Sequence, residues 1–420
     1  MAAAGWVSCF MRYLTPRSSF VSLAVFFFFQ WCATGMWNVP FSNILKAAGL
    51  ASFIAPAFAC SATAAFISPL LVGSLADRGF SPVKLLRGLF WLSGLMLGFA
   101  FLAIDRGWGG TALLVGMQLH ALCVSPTTSL VATIALAEFR QPSQQYGPLR
   151  LWGTIGWITA GCIVSWVLAA DASPVSGYVS AAMFISLGFA TYALPTQKLA
   201  SAGGARNWKE LLGLDALQLL RNRDHRTILI SVTLFGIPVA AFYPYTPLHL
   251  SALGFAHPSA TLSIGQVSEV TALLLLAGLT RRIRLKWVLL GGLLFGVMRY
   301  GLFALNTPAG LLVGISLHGA CFAFYNITAQ IYLAERVEPV MRARAQALFS
   351  MLTNGVSNLL GYLGTGWLFQ LTSTSAGGAR WPLFWSLLCA ATVAVAVYFS
   401  CNYQGAGQGF FRGRSQEPGL

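Results

Sequence analysis

The chain has 420 residues, 56% of them hydrophobic and only 9% charged, with a mean hydropathy of +0.69. A soluble protein of this size carries roughly 25% charged residues, so water is excluded as the main solvent for its surface. The formal charge of +15 would suit a nucleic-acid binder only if basic residues gathered with aromatics in a soluble segment, and they do not.

Apolar runs recur from end to end and predict twelve spans: 18–38, 51–75, 85–104, 111–135, 148–170, 178–195, 227–247, 261–280, 287–305, 308–333, 345–371 and 381–401. Each is about long enough to cross a ~30 Å hydrocarbon core at 1.5 Å per residue. The first run, after Arg12 and Arg17, is too long for a signal-peptide core and lacks a clean small-residue cleavage site, so it reads as span 1. With these spans, 22 of the 26 Lys and Arg residues fall at even-numbered connections or the two tails. Lys46, Arg106 and Arg380 fall on the other side, and Arg299 lies inside a span. This asymmetry is the positive-inside pattern of a multi-pass membrane protein with both termini cytoplasmic; the expected location is a bacterial inner membrane.

The turn after span 2 runs Gly73, Ser74, Leu75, Ala76, Asp77, Arg78, and a degenerate counterpart, Gly278 to Arg282, follows span 8. A glycine, an acid four residues later and then Arg closes a tight cytoplasmic turn in which the carboxylate faces helix ends and basic groups. At this connection of a twelve-span chain, the Gly73, Asp77, Arg78 string resembles the signature loop of the major facilitator superfamily, which implies a conformational role. His120 in span 4 is isolated and reads as a satisfied buried histidine. On span 5, Arg150, Thr154 and Trp157 recur at i, i+4 and i+7 and share a face. Pro148 suits a first helical turn, which would leave Arg150 snorkelling at the cytoplasmic interface.

Six spans precede the polar interruption 196–226 and six follow it. Within it, Trp208 to Leu220 has an amphipathic helical period. The predicted organisation is therefore a six-helix bundle over 1–195, a cytoplasmic linker over 196–226, and a second bundle with a short tail over 227–420. Transporters built from two such bundles hold their solute near the midplane. Pro238, Pro244 and Pro247 predict a bent or broken span 7, tolerated where backbone lines a cavity.

Ten of the eleven acids lie in loops, tails or near span ends; the exception is Glu269 in span 8. A carboxylate at that depth costs about 2.5–3.5 kcal/mol on insertion scales, so it is a functional candidate by default. Gln266 sits three residues earlier on the same face. Arg299 in span 9 is at a similar depth, so it is a possible partner of Glu269, either as a structural ion pair or in proton movement. On span 10, His318, Phe322 and Tyr325 form a stripe beside Asn326 and Gln330. The eight cysteines sit singly with no CxxC or Cys/His spacing, so no disulfide framework, metal or cofactor is expected. The histidines join no nucleophile–base cluster, which argues against an intramembrane enzyme.

The strings YGPLRLWGTIGW (146–157), NWKELLGLDALQLL (207–220), GQVSE (265–269), MRYGLFA (298–304), FAFYNI (322–327) and RARAQALFSMLTNG (342–355) resemble the nucleoside:proton symporters of the major facilitator superfamily. The resemblance implies an all-α fold of twelve transmembrane helices in two six-helix bundles, proton coupling and nucleoside import by alternating access. It places substrate contacts on Arg150, Thr154, Trp157, Tyr243, Gln266, Glu269, His318 and Phe322, with Glu269 in proton coupling. Departures from the family pattern are Ala323, where an acid follows the Phe; Ala240 and Tyr243, in place of a Gln and an Asn; and His318, in place of a Tyr. They leave open another organic solute, a sugar or aromatic acid, moved with or without protons. Expected partners are a small-molecule substrate, protons and the lipid bilayer, with no nucleic acid and a monomeric chain.

Overall fold

The computed structural model describes residues 18–77, 81–139, 142–194, 214–338, 341–374 and 378–405. Their regular structure is helical apart from one isolated β-bridge between Ser373 and Ala379. Among the described residues, ten helical stretches are long and apolar enough to cross a membrane. The fifth and eleventh spans complete the twelve. Span 5 is the helix Pro142–Cys162 continued by a π-helical turn, Ile163–Val167. Span 11 runs from Arg342–Ser350 through a π-helical stretch, Met351–Ser357, into Asn358–Thr372. Polar residues such as Gln144, Arg150, Gln346 and Asn354 lower the hydropathy of these two.

Several spans run past the apolar limits seen in sequence. Span 1 continues through a turn into Phe41–Ala47, and spans 4, 7 and 10 extend to Glu138, Ala252 and Arg336. Their ends carry polar residues that reach water while the backbone stays hydrogen-bonded inside the helix. Span 5 begins at Pro142, so Pro148 lies inside the helix and not at its first turn. Arg150 therefore sits about 12 Å from the helix start at 1.5 Å per residue, more than two turns in.

The described residues divide between two compact units. One falls within Met1–Arg206 with His257–Ser263, the other within Asn207–Ala256 and Ile264–Leu420. Within the first, span 1 packs on spans 5 and 6, span 3 on spans 4 and 6, and span 2 on span 4. Within the second the pairs recur six spans later: span 7 packs on span 11, span 9 on spans 10 and 12, and span 8 touches span 10. Without a hydrophobic drive between helices in lipid, close packing at small residues holds such pairs together. Gly156 shows this, since a Cβ there would run into the Phe28 carbonyl of span 1.

Of the linker, residues 214–226 are described; residues 208–213 of the expected amphipathic helix lie outside them, and Leu214–Arg221 is a 3-10 helix. Its apolar side docks on the second unit: Ala216 is fully buried and Leu219 and Leu220 pack against the core that includes Phe235, Leu293, Tyr325 and Phe399. The tighter i→i+3 winding suits a short connector that ends at a cap. That cap is Asn222, whose Oδ1 accepts from the backbone N–H groups of Asp224 (2.9 Å) and His225 (3.2 Å) as span 7 begins.

Candidate functional site

The second unit holds the buried Gln266, Arg299 and His318, and the break in span 7 starts the arrangement. Helix Arg223–Val239 stops one residue after Pro238, a turn passes through Ala240 and Ala241, and the helix resumes as Phe242–Ala252. Pro244, in the restarted helix, has no N–H to give the Ala240 carbonyl four residues before it. The Pro238 carbonyl accepts from the Ala241 N–H at 3.1 Å and from the Tyr300 hydroxyl at 2.7 Å. The restarted helix delivers Phe242 and Tyr243. Phe242 is fully buried and lies flat on the His318 ring, 4.0 Å between centroids and 5° between planes.

Span 8 supplies Gln266 and Glu269. Gln266 Nε2 donates to the Tyr243 hydroxyl at 3.0 Å, while its Oε1 is buried without a partner among the described residues. An unmatched buried acceptor is costly unless something else meets it. Glu269 is half-buried, 11 residues into the 25-residue helix Pro258–Arg282, or about 16 Å from its start.

Span 10 faces it. After the short helix His318–Cys321, the backbone widens into the π-helical segment Phe322–Ile327, the FAFYNI string, before returning to α-helix. His318 and Phe322 stay on one side, 6.4 Å apart and 19° from parallel. Tyr325 does not continue their stripe: it is fully buried against Phe235 (5.2 Å) and Phe399 (6.1 Å) in the core. The physical reason is the wider turn, which breaks the 3.6-residue register on which the stripe was read.

Arg299 lies beneath this group, fully buried. Its guanidinium donates to His318 Nδ1 at 2.7 Å, to Cys321 Sγ at 3.5 Å and to the Tyr300 hydroxyl. None of these partners is a carboxylate, so the Glu269 pairing considered from sequence is not among its hydrogen bonds. The Tyr300 ring also lies 4.5 Å from its Cζ and the Phe242 ring 5.4 Å, which places π faces around a desolvated cation.

In the first unit, Arg150 is exposed and Thr154 and Trp157 are half-buried. Trp157 meets Trp31 of span 1 at 6.0 Å. The face of Gly153, Gly156 and Ala160 packs on span 1, so Arg150, Thr154 and Trp157 project beside that seam and not into it. His120 is bonded at one nitrogen only: Nδ1 meets Ser93 Oγ (2.9 Å) and O (3.0 Å), while Nε2 has no partner among the described residues. Gly73 and Asp77 belong to helix Ile54–Asp77, but their side chains and Arg78 lie outside the described residues.

The structure thus joins Tyr243, Gln266, Glu269, His318 and Phe322 in one unit and adds residues the sequence reading did not select. Phe242 was hidden because an apolar aromatic in a span looks like packing. Ser268 and Gly319 join spans 8 and 10 through the Gly319 N–H, which donates to Ser268 Oγ at 3.0 Å; glycine and serine are too common in membrane helices to mark a site.

These observations describe a twelve-span transporter, and known proteins carry the same pattern. YegT of Escherichia coli K12, described as a candidate nucleoside transporter, is 34% identical over 353 residues, which is 81% of this chain and 82% of YegT. Nucleoside permease NupG of the same organism is 26% identical over 407 residues, 91% and 96% of the two chains. The crystal structure of a point mutant of nucleoside transporter NupG superposes with a TM-score of 0.84 at 25% identity, covering 92% of this chain and all of that one. A D-xylose–proton symporter shares the fold at a TM-score of 0.70 and 14% identity. The family described as Nucleoside H+ symporter matches residues 18–407, and the chain belongs to that family.

Proposed function

We propose that this transporter carries a nucleoside, or a nucleoside-like hydroxylated solute, into the cell with protons by alternating access. The observation that carries the reading is the grouping in the second unit of one half-buried carboxylate, Glu269, with the unmatched Gln266 acceptor and the stacked rings of His318 and Phe322. A carboxylate takes up or releases a proton as its surroundings alternate between wet and dry. Flat rings suit a heterocycle, and charge-assisted hydrogen bonds suit ribose hydroxyls. The relatives named as nucleoside transporter and nucleoside permease support the substrate class.

In this reading Arg150, Thr154 and Trp157 are further solute contacts. The chain works as a monomer with both termini in the cytoplasm. Its moving parts are the bundle 1–195, the linker 196–226 and the bundle 227–420, with Gly73, Asp77 and Arg78 as a conformational loop. Uptake of radiolabelled uridine into proteoliposomes at two pH values is the test. Uptake stimulated by an inward proton gradient, and no longer stimulated in Glu269→Gln, is expected. Uptake indifferent to the gradient in both proteins would remove the coupling.

A second reading, transport of another organic solute, is favoured by a specific observation. Ala323 is fully buried in an apolar cluster with Ala272, Leu276 and Val288, and Ala240 is buried as well. Neither offers a hydrogen bond to read a nucleobase. A thermal-shift screen in which sugars or aromatic acids stabilise the protein and nucleosides do not would select this reading.

A further inference from the structure

Arg299 is completely buried, and the groups it donates to among the described residues are an imidazole nitrogen, a phenol oxygen and a thiol. Arginine has only donors and stays charged at any physiological pH. The nitrogen that receives it, His318 Nδ1 at 2.7 Å, must therefore be bare, and the ring proton must sit on Nε2. The other tautomer, or a doubly protonated ring, would set N–H against N–H at hydrogen-bond distance.

The ring is also held against rotation. Phe242 lies parallel to it at 4.0 Å, Phe322 is stacked at 6.4 Å, and Tyr243 meets it edge-on at 6.3 Å. Turning the ring over would place the Cδ2–H where Arg299 needs an acceptor. The guanidinium is fixed in its turn, because the Tyr300 hydroxyl that it reaches donates onward to the Pro238 carbonyl. Nε2 has no hydrogen-bond partner among the described residues, and His318 keeps 5% of its surface open. Among the described residues, the charged and titratable groups on the elements packed around the ring are Arg299 and Tyr300 from span 9, Tyr243 from span 7, Glu269 from span 8 and Cys321 on its own span. Arg299 hydrogen-bonds the imidazole.

We propose that Arg299 is a positioning residue that fixes His318 as the neutral Nε2–H tautomer, so that position 318 offers solute a permanent hydrogen-bond donor and takes no part in proton coupling. The feature rests on the reading that the second unit binds solute, and it deepens that reading. The donor selects a solute with an acceptor at that point, such as a carbonyl or a bare ring nitrogen. It also separates two roles in one unit: Glu269 changes its proton count and His318 does not. A phenol at position 318 rotates its O–H to donate or accept; the Arg299-bound imidazole can only donate at Nε2.

The tautomer is tested directly by nitrogen NMR on the full chain, labelled with 15N-histidine and held in lipid nanodiscs. The chain has five histidines, and the signal missing from His318→Tyr belongs to His318. The expected spectrum shows Nε2 protonated and Nδ1 bare, unchanged from about pH 5 to 8, the window in which an ordinary imidazole titrates. A titrating signal, or a proton on Nδ1, overturns the proposal whether or not the protein transports uridine. As a second measurement, uridine affinity of Arg299→Met is compared at about pH 5.5 and 7.5, either side of the usual imidazole value. The expected result is a several-fold change in affinity between the two pH values beyond the parent's own, removed by adding His318→Tyr. A folded Arg299→Met protein whose affinity follows the same pH profile as the parent counts against the lock. Where Arg299→Met does not fold, the spectrum of the parent protein decides. A parent that binds no uridine at all sinks the nucleoside reading and leaves the NMR result standing.

Discussion

Gly319 of span 10 donates its backbone N–H to Ser268 Oγ of span 8 at 3.0 Å, and the backbone of Glu269 lies directly against the Gly319 α-carbon. A Cβ at position 319 would overlap the Glu269 N and Cα atoms. The proposed proton carrier is therefore seated by a hydrogen bond from one side and by the absence of a side chain on the other. Ser268 Oγ also donates to the Gly265 carbonyl at 2.7 Å, so its own orientation is fixed.

Gly319→Ala should push spans 8 and 10 apart and move Glu269. Overpacking of this kind destabilises by about 1–3 kcal/mol. A lower thermal midpoint together with loss of gradient-driven uptake is the expected outcome. Unchanged stability and uptake would mean that the two helices slide apart freely. Ser268→Ala should be milder, about 1 kcal/mol for one hydrogen bond.

Glu269→Gln keeps the shape and one hydrogen-bonding edge but cannot exchange a proton. Proton-driven accumulation should fall to the equilibrating level, while exchange of internal for external solute persists. Measuring both in the same proteoliposomes separates loss of coupling from loss of binding. Loss of exchange as well would make Glu269 chiefly a solute ligand.

Tyr243→Phe removes the hydroxyl that receives Gln266 Nε2. With its amide no longer held, Gln266 should present its Oε1 less reliably. The expected effect is a loss of about 0.5–1.5 kcal/mol in solute affinity, or up to roughly tenfold in Kd, with fold stability nearly unchanged. Binding titration against the parent protein checks it.

Asn222→Ala deletes the cap that opens span 7 after the linker. About 1 kcal/mol of stability should be lost, visible as a lower thermal midpoint, with the pH dependence of uptake unaltered because the cap lies far along span 7 from Tyr243. A changed pH profile would show that the linker exit is coupled to the proton site.

Much was settled by the chain's chemistry alone. Low charge, twelve apolar runs and the sorting of Lys and Arg fix a membrane protein and its spans, because lipid tolerates only backbone that hydrogen-bonds within itself. Pro238, Pro244 and Pro247 announced the break in span 7, since a missing N–H acts locally. Glu269 declared itself because a carboxylate inside an apolar run is expensive wherever its neighbours are. What sequence could not decide was partnership. Arg299 and Glu269 look matched by depth, yet the guanidinium is bonded to His318, Tyr300 and Cys321. Tyr325 looked like a companion of His318 until the π-helical turn carried it into the core. Both outcomes turn on the rotation of one helix against its neighbours, which arises from packing among spans distant in sequence. The same packing brings Gly319 onto Glu269 and assigns the proton of His318, neither of which any single span encodes.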